Sequence, residues 1–548
     1  MMLESTSQMS FDHLLSSLRR QGSSVFDAFW IPASAGMTIK VIYKIASSTF
    51  HMRQIFFTFF LFFFALFPFF LHAQEKIPVH DIYIIHFILD GANADFFHQL
   101  LADGKLPTVQ KEIVEKGIKF TEAIASFPSV SGANYQSFVT GLFPGHAGIP
   151  HLERFDREKN KNIGYLTLSG YRRINDDLIN MRSFETGGSL QPSTTIFELL
   201  SGHPTASIYS SFYRGASYVA PHFLPMRAIW AAFVSKRTWY VDLLAMRKVF
   251  RQFRKQERKL PRYTLVGLIG TDLAGHANGA RSKEVEKTLV HFDTQLERFI
   301  VLLKKRKLLD KTYIIISSDH GMHDTQKYFA LKTRLEKEPF DDLLFVGDRG
   351  VASSQIYFKQ SLSSEKREKI IETILSYPET ELMALRKGEH DAHVIDSSHR
   401  EATIRCTVNA REKRCSYHAK KDDPLHYCSD ATTKIFCDGK FYSLHEWRRA
   451  IAHPYFPDTV VQLGHLFASD RSGDIFVIAK PDFGFRKQKA ATHGSLRRDD
   501  MHIPLLIKGP TISPGTRRFA RGVDLYPLLL EWYGLPKPPW TPDGENPL

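Results

Sequence analysis

The sequence predicts an α/β fold with a mainly parallel central sheet flanked by helices, and three observations predict it. From Ile82 to about Met322, short β-branched runs alternate with longer helical ones, the pattern of strands joined by crossover helices. Three of the runs are followed by an aspartate: Asp90 after Ile82 to Leu89, Asp272 after Thr264 to Gly270, and Asp319 after Tyr313 to Ser318. Ligands of open α/β sheets bind at the carboxyl ends of the strands, so the three carboxylates are expected along one edge of one sheet. Finally, Val285, Leu289, Phe292, Leu296, Phe299 and Leu303 recur at spacings of four and three, the buried face of a helix. The strand Tyr313 to Ser317 follows that helix.

Taken in order, the chain opens on residues 1–51, which look unlike the remainder and read as a non-native extension. An export signal follows them. Met52-Arg53 is a charged start, Ile55 to Phe70 is almost entirely Phe, Leu and Ile, and Leu71-His72-Ala73 offers a small residue before Gln74. That order is a secretory signal peptide over 52–73, with translation expected to begin at Met52. The alternative is an uncleaved membrane anchor through residues 55–71, although a spanning helix usually needs about 20 apolar residues. A catalytic domain is expected over 74–548, in a periplasmic or secreted protein.

Between about Tyr328 and Gly464 the strand–helix alternation breaks down into charge-rich and His-rich stretches. Residues 328–464 read mostly as an inserted cap subdomain. All four cysteines lie there, Cys406, Cys415, Cys428 and Cys437, without the short Cys-x2–4-Cys pairs of zinc ribbons. Disulfides in an oxidising compartment fit better. Three pairings are open, among them a nested one of Cys406 with Cys437 and Cys415 with Cys428. The sheet pattern is expected to resume with Asp474 to Ala479 and Ile503 to Ile507, and a closing helix from Val523 to Tyr533 stops at Gly534 and Pro536.

The net charge of +14 suits an anionic substrate or surface. Much of it sits in a cluster from Arg247 to Arg262, read as the solvated face of an amphipathic helix. No nucleic-acid-binding motif accompanies it, so no stable nucleic-acid partner is expected.

The chemistry-bearing residues cluster around these strand ends. Asp272-Leu-Ala-Gly-His276 sets a carboxylate and an imidazole four residues apart, with the glycine expected to turn the backbone so that both face one ion. Asp319-His320-Gly321 sets them side by side. Carboxylate plus imidazole suits zinc, with manganese or iron as further options. Asp90 lies upstream of both pairs and Thr492-His493-Gly494-Ser495 downstream.

In combination these motifs resemble the alkaline phosphatase superfamily, most closely its type I phosphodiesterase and nucleotide pyrophosphatase branch, over roughly residues 80–325 and 470–540. The family's nucleophile motif, Pro-Thr-x-Thr-x-Pro-Asn then Thr-Gly-Leu-Tyr-Pro then His-Gly-Ile, is similar to Pro128-Ser-Val-Ser131-Gly-Ala-Asn134, Thr140-Gly-Leu-Phe-Pro144 and His146-Ala-Gly148-Ile149. The resemblance implies an alkaline phosphatase-like sandwich and two divalent metal ions, zinc foremost. Asp90, Ser131, Asp319 and His320 would hold one ion, and Asp272, His276 and His493 the other. Ser131 would be the nucleophile, forming a covalent phospho-serine on the way to hydrolysis of a small phosphate ester such as a nucleotide or phospholipid head group.

Two departures from the family matter. Its diesterases carry an Asn after His-Gly-Ile that holds a phosphate oxygen, and by count that position is Leu152, leaving His151 beside it as the candidate; Asn134 is a further substrate-binding candidate. Phe212-Tyr-Arg214-Gly-Ala216 resembles a Lys-x-Arg-Gly-Ala stretch of periplasmic monoester phosphatases, which makes Arg214 a candidate phosphate ligand. The alternatives to a phosphodiesterase are therefore a periplasmic phosphomonoesterase using Arg214, or an exported metal-binding pseudoenzyme. A sulfatase is excluded because Ser131-Gly-Ala-Asn-Tyr lacks the Cys/Ser-x-Pro-x-Arg motif.

Overall fold

In a computed structural model, residues 28–32, 38–42 and 81–548 are described, apart from 166–167, 179–180, 183–189, 192, 221–236, 348, 350, 409–411, 488–489 and 539. The expected signal segment 52–73 lies outside them. The chain divides into two units, Met1–Lys76 and Ile77–Leu548. Within the first, Ala28–Pro32 pairs antiparallel with Thr38–Ile42.

The second unit is built on an eight-stranded sheet. In spatial order its strands are Tyr218–Ala220, Thr205–Ile208, Tyr263–Leu268, Tyr83–Leu89, Thr312–Ser317, His502–Lys508, Ile118–Ile124 and Gly515–Arg521. The first five are parallel; His502–Lys508 runs antiparallel to both of its neighbours. The mainly parallel sheet is thus as expected.

Both faces are covered, as a parallel sheet requires. Along Tyr83–Leu89, Ile84 and Ile88 join one core while Tyr83, Ile85, Phe87 and Leu89 join the other, because successive side chains alternate across a strand. Helix Lys283–Lys305, capped by Ser282 accepting from the Val285 N–H, buries all six apolar positions read from the sequence. Its Phe292 and Phe299 meet Phe87 edge-on, with ring centres 5.6 and 6.0 Å apart. On the opposite face lies helix Leu525–Tyr533, ended by Gly534 at φ 64°. Helix Trp239–Phe253 buries Val241, Ala245, Met246, Val249 and Phe253 and leaves Arg247, Arg251 and Arg254 in solvent, so this basic stretch is a solvated face.

A second eight-stranded sheet is entirely antiparallel, in the order Leu344–Gly347, Ser353–Phe358, Ile475–Ala479, Thr380–Arg386, Asp391–Asp396, Glu401–Val408, Lys413–Lys421 and Tyr442–Ser443. This corrects one expectation. Ile475–Ala479 does not resume the central sheet but lies between Ser353–Phe358 and Thr380–Arg386 in the second. All five of its residues are buried, and an unbroken apolar run looks the same in either sheet. The nested disulfide pairing is not formed either. Cys406 pairs with Cys415, directly opposite on adjacent strands, and Cys428 with Cys437.

Candidate active site

Three adjacent central strands, Tyr263–Leu268, Tyr83–Leu89 and Thr312–Ser317, end at one edge of the sheet, and each delivers an acid there. Asp90 follows directly on its strand. The next residue, Gly91, takes φ 72°, and a Cβ on it would lie 3.1 Å from Asp272 Cβ, so the close approach of the two loops needs glycine. Asp272 and His276 sit on helix Gly270–Asn278. They face one point because residues four apart share a helix face, and not because Gly275 turns the chain. Gly275 instead leaves room for Met322, whose sulfur would lie 2.3 Å from a Cβ there.

The carboxylate and imidazole groups form two clusters, Asp90–Asp319–His320 and Asp272–His276–His493, in each of which the ligand atoms lie within 4.8 Å of one another. Ser131, first residue of helix Ser131–Thr140, has its Oγ 3.2 Å from His320 Nε2 and 3.4 Å from Asp90 Oδ1. His320 and His493 stack with ring centres 3.7 Å apart, joining the clusters. All seven residues expected to gather do so.

Hydrogen bonds set the direction of each imidazole. Nδ1–H of His276 donates to Ala491 O at 2.8 Å, that of His493 to Ser129 O at 2.9 Å, and that of His320 to Gly321 O at 2.8 Å. A carbonyl can only accept, so Nδ1 holds the proton of each ring in its neutral form and Nε2 then holds the lone pair. Those lone pairs face carboxylates: His276 Nε2 is 3.2 Å and His493 Nε2 3.6 Å from Asp272 Oδ1. Asp272 Oδ1 and Asp319 Oδ2 are buried without a hydrogen-bond donor. Acceptors gathered around acceptors fit a bound cation, and backbone partners on the far nitrogen are usual for metal-ligating histidines.

The titration behaviour points the same way. Burial pushes Asp319 up to about 7. Burial, then the carboxylates of Asp319 and Asp272, push Asp90 well up. Burial would also raise Asp272, but the positive charge that His276, His493 and His320 present when protonated outweighs it and holds that carboxyl below its usual range. His493 is kept neutral by burial and by neighbouring His320. Three carboxylates this close repel one another unless positive charge is supplied.

Residues that sequence reasoning missed hold the clusters in place. Tyr135 donates to Asp90 Oδ2 at 3.0 Å. Asp242, on helix Trp239–Phe253, accepts from the Gly270 N–H at 2.8 Å and so caps the helix that carries Asp272. His493 follows the two-residue strand Ala491–Thr492, which pairs with His323–Tyr328 and brings it beside His320. Ser129 Oγ donates to Ser495 O at 2.7 Å, and Asp500 accepts from both the backbone and hydroxyl of Ser495. Only the motif Thr492-His493-Gly494-Ser495 hinted at this.

The three substrate candidates are not brought together. Asn134 uses its whole amide on the preceding loop, accepting from Ser126 N and donating to Ser126 O, Pro128 O and Val130 O; its task is to brace the loop before Ser131. Arg214 is paired with Glu198, its Nε 2.8 Å from Oε1, and also donates to the carbonyls of Asn175 and Ser193. His151 is fully buried, with Nε2 3.3 Å from Ser353 Oγ, and burial pushes it down to about 4. Leu152 lies beside Gly132 in an apolar cluster with Val130, Ala133 and Val351.

The family described as type I phosphodiesterase / nucleotide pyrophosphatase matches residues 84–500, more than half of the chain, and the chain belongs to that family. Ectonucleotide pyrophosphatase/phosphodiesterase family member 3 of Mus musculus is 25% identical over 244 residues, 44% of this chain and 25% of that protein. Family member 1 of Homo sapiens is 26% identical over 252 residues, 45% of this chain and 24% of that protein. The chain thus spans about a quarter of the length of these curated relatives. Among solved structures, murine ectonucleotide pyrophosphatase / phosphodiesterase 5 shares the fold with a TM-score of 0.54 at 17% identity, over 84% of this chain and 97% of that one.

Proposed function

We propose that the chain is an exported, metal-dependent phosphodiesterase/nucleotide pyrophosphatase with Ser131 as its nucleophile. The observation that carries this reading is the setting of Ser131 Oγ, 3.2 Å from His320 Nε2 and 3.4 Å from Asp90 Oδ1 at a helix N-terminus. Asp90, Ser131, Asp319 and His320 would hold one divalent ion, and Asp272, His276 and His493 a second, with zinc suited to this donor set. Such ions supply Lewis-acid charge that favours a serine alkoxide and offsets charge on the phosphoryl oxygens. Ser131 Oγ attacks phosphorus, the bond to the leaving oxygen breaks, and water then hydrolyses the phosphoryl or nucleotidyl serine. The Val130 carbonyl takes the Ala133 and Asn134 N–H groups, and the N–H groups of Ser131 and Gly132 ahead of them, which a helix leaves without an intrahelical acceptor, would meet phosphoryl oxygens alongside the favourable helix dipole.

A diester is favoured over a monoester because Arg214, the candidate for a dianionic phosphate, is already bound to Glu198. Nucleotides are the substrate class we propose; murine family member 5 has been solved in complex with AMP. Export rests on the sequence of residues 52–73 and on two disulfides, which persist in oxidising compartments. Among the described residues, no helix is long and apolar enough to cross a membrane.

The test compares a chromogenic phosphodiester with its monoester, with and without chelator and re-added zinc. Zinc-restored preference for the diester is the expected result. A monoester preference would return Arg214 to the site and reject the diesterase reading, and no turnover with metal bound would reject catalysis.

A further inference from the structure

Three imidazoles from separate elements meet away from Ser131. His146 lies on helix Pro144–Ala147, His390 in the turn between strands Thr380–Arg386 and Asp391–Asp396, and His465 on helix Thr459–Leu466. One nitrogen of each lies within 4.8 Å of the others. Their ring centres are 4.9 Å apart for His146 and His465, 5.6 Å for His146 and His390, and 5.7 Å for His390 and His465. Three imidazoles on one tetrahedral ion place their ring centres about 5 Å apart, given a zinc–nitrogen bond of about 2.0–2.1 Å.

The second nitrogen of His146 and that of His465 are engaged, as in most histidine metal sites. His146 Nδ1–H donates to the Asp543 carboxylate at 2.8 Å. Asp543 also accepts from Lys413 Nζ at 2.5 Å and from the Phe143 N–H at 2.6 Å, which fixes its position. His465 Nε2 lies 3.8 Å from Cys415 Sγ. That sulfur is bonded to Cys406 and can only accept, so the lone pair of His465 is on Nδ1, which is buried and has no hydrogen-bond partner. His390 lies against the backbone of Gly464. It is half-buried, whereas the other two rings are buried.

We propose that His146, His390 and His465 form a further divalent-cation site, of the zinc class, with Asp543 orienting His146 and water entering as the fourth ligand past His390. Neutral imidazoles are good donors to zinc, copper and nickel and poor ones to calcium or magnesium. The site is a tie rather than a reaction centre. It joins the segment after the nucleophile helix to the second sheet and, through Asp543, to the C-terminal stretch.

The test counts zinc per chain by mass spectrometry in full-length protein, after chelation, reloading and desalting, for wild type, His390→Ala and His493→Ala. His390→Ala should hold one ion fewer than wild type, with an unchanged circular dichroism spectrum. In the wild type, zinc should protect His390 from acylation by diethyl pyrocarbonate, a measurement that needs no variant. Equal zinc counts in wild type and His390→Ala, or acylation of His390 indifferent to zinc, would overturn the site. An ion lost only in His493→Ala would remove this site and leave the reading of the Ser131 pocket standing. An ion lost only in His390→Ala would do the reverse.

Discussion

Replacing Ser131 with Ala should abolish turnover while bound zinc is kept, because all six carboxylate and imidazole groups of the two clusters remain without the hydroxyl. Full activity in that variant would remove the proposed nucleophile. Tyr135 is a positioning residue. Its hydroxyl is the one side-chain donor to Asp90 Oδ2 among the described residues, so Tyr135→Phe should weaken zinc binding by about 10–100-fold, measured by competition with a chromophoric chelator. At this scale the sequence was informative for residues with distinctive chemistry after strands and poor for those with ordinary chemistry. Asp90, Asp272 and Asp319 could be found because each follows an apolar run. Asn134 and Arg214 carried the right functional groups, but their partners, the loop carbonyls from Ser126 to Val130 and the carboxylate of Glu198, are set by tertiary structure.

Among the elements, helix Gly270–Asn278 depends on an acid borrowed from another helix. Burial pushes Asp242 up to about 7, against about 3.9 in an unfolded chain. The folded state therefore keeps a proton that the unfolded chain releases. Stability from this group is full below about pH 4 and declines as the pH rises toward 7, by at most about 4 kcal/mol. Asp242→Asn keeps an oxygen for the Gly270 N–H and has no proton to lose. Its melting temperature should exceed that of wild type above neutrality, and the gap should shrink as the pH falls toward 4. A constant gap across that range, followed by scanning calorimetry, would contradict the assignment. Long periodic elements such as Lys283–Lys305 could be read from sequence in full, since six apolar residues fix one face. The two-residue strand Ala491–Thr492 could not, because its pairing with His323–Tyr328 leaves no periodic trace.

For the molecule as a whole, one disulfide lies in the second sheet and the other in the loop between the last two strands of that sheet. Each closes a short loop, so each is expected to contribute about 2–3 kcal/mol. Reduction should lower the melting temperature by several degrees and should alter the zinc content of the Ser131 pocket little, because none of its seven residues touches a cysteine. The outline of the central sheet was evident from strand–helix alternation, whereas the second sheet was hidden. Antiparallel strands buried on one face with charged residues on the other, such as Glu401–Val408, read as an irregular insertion.

Ile475–Ala479 gives that second sheet an unusual place in the chain. The strand comes from beyond the stretch that supplies the other seven, yet it lies in the middle of them, bonded to Ser353–Phe358 on one side and Thr380–Arg386 on the other. This lobe is therefore not a removable module. Excising residues 344–464 would strand a buried apolar segment fifteen or so residues before His493, and a chimera grafting the lobe from a relative would need to bring its own version of Ile475–Ala479. Evolution could vary the loops of this lobe freely, but it could not exchange the lobe without threading a strand back toward the edge that carries Asp90, Asp272 and Asp319.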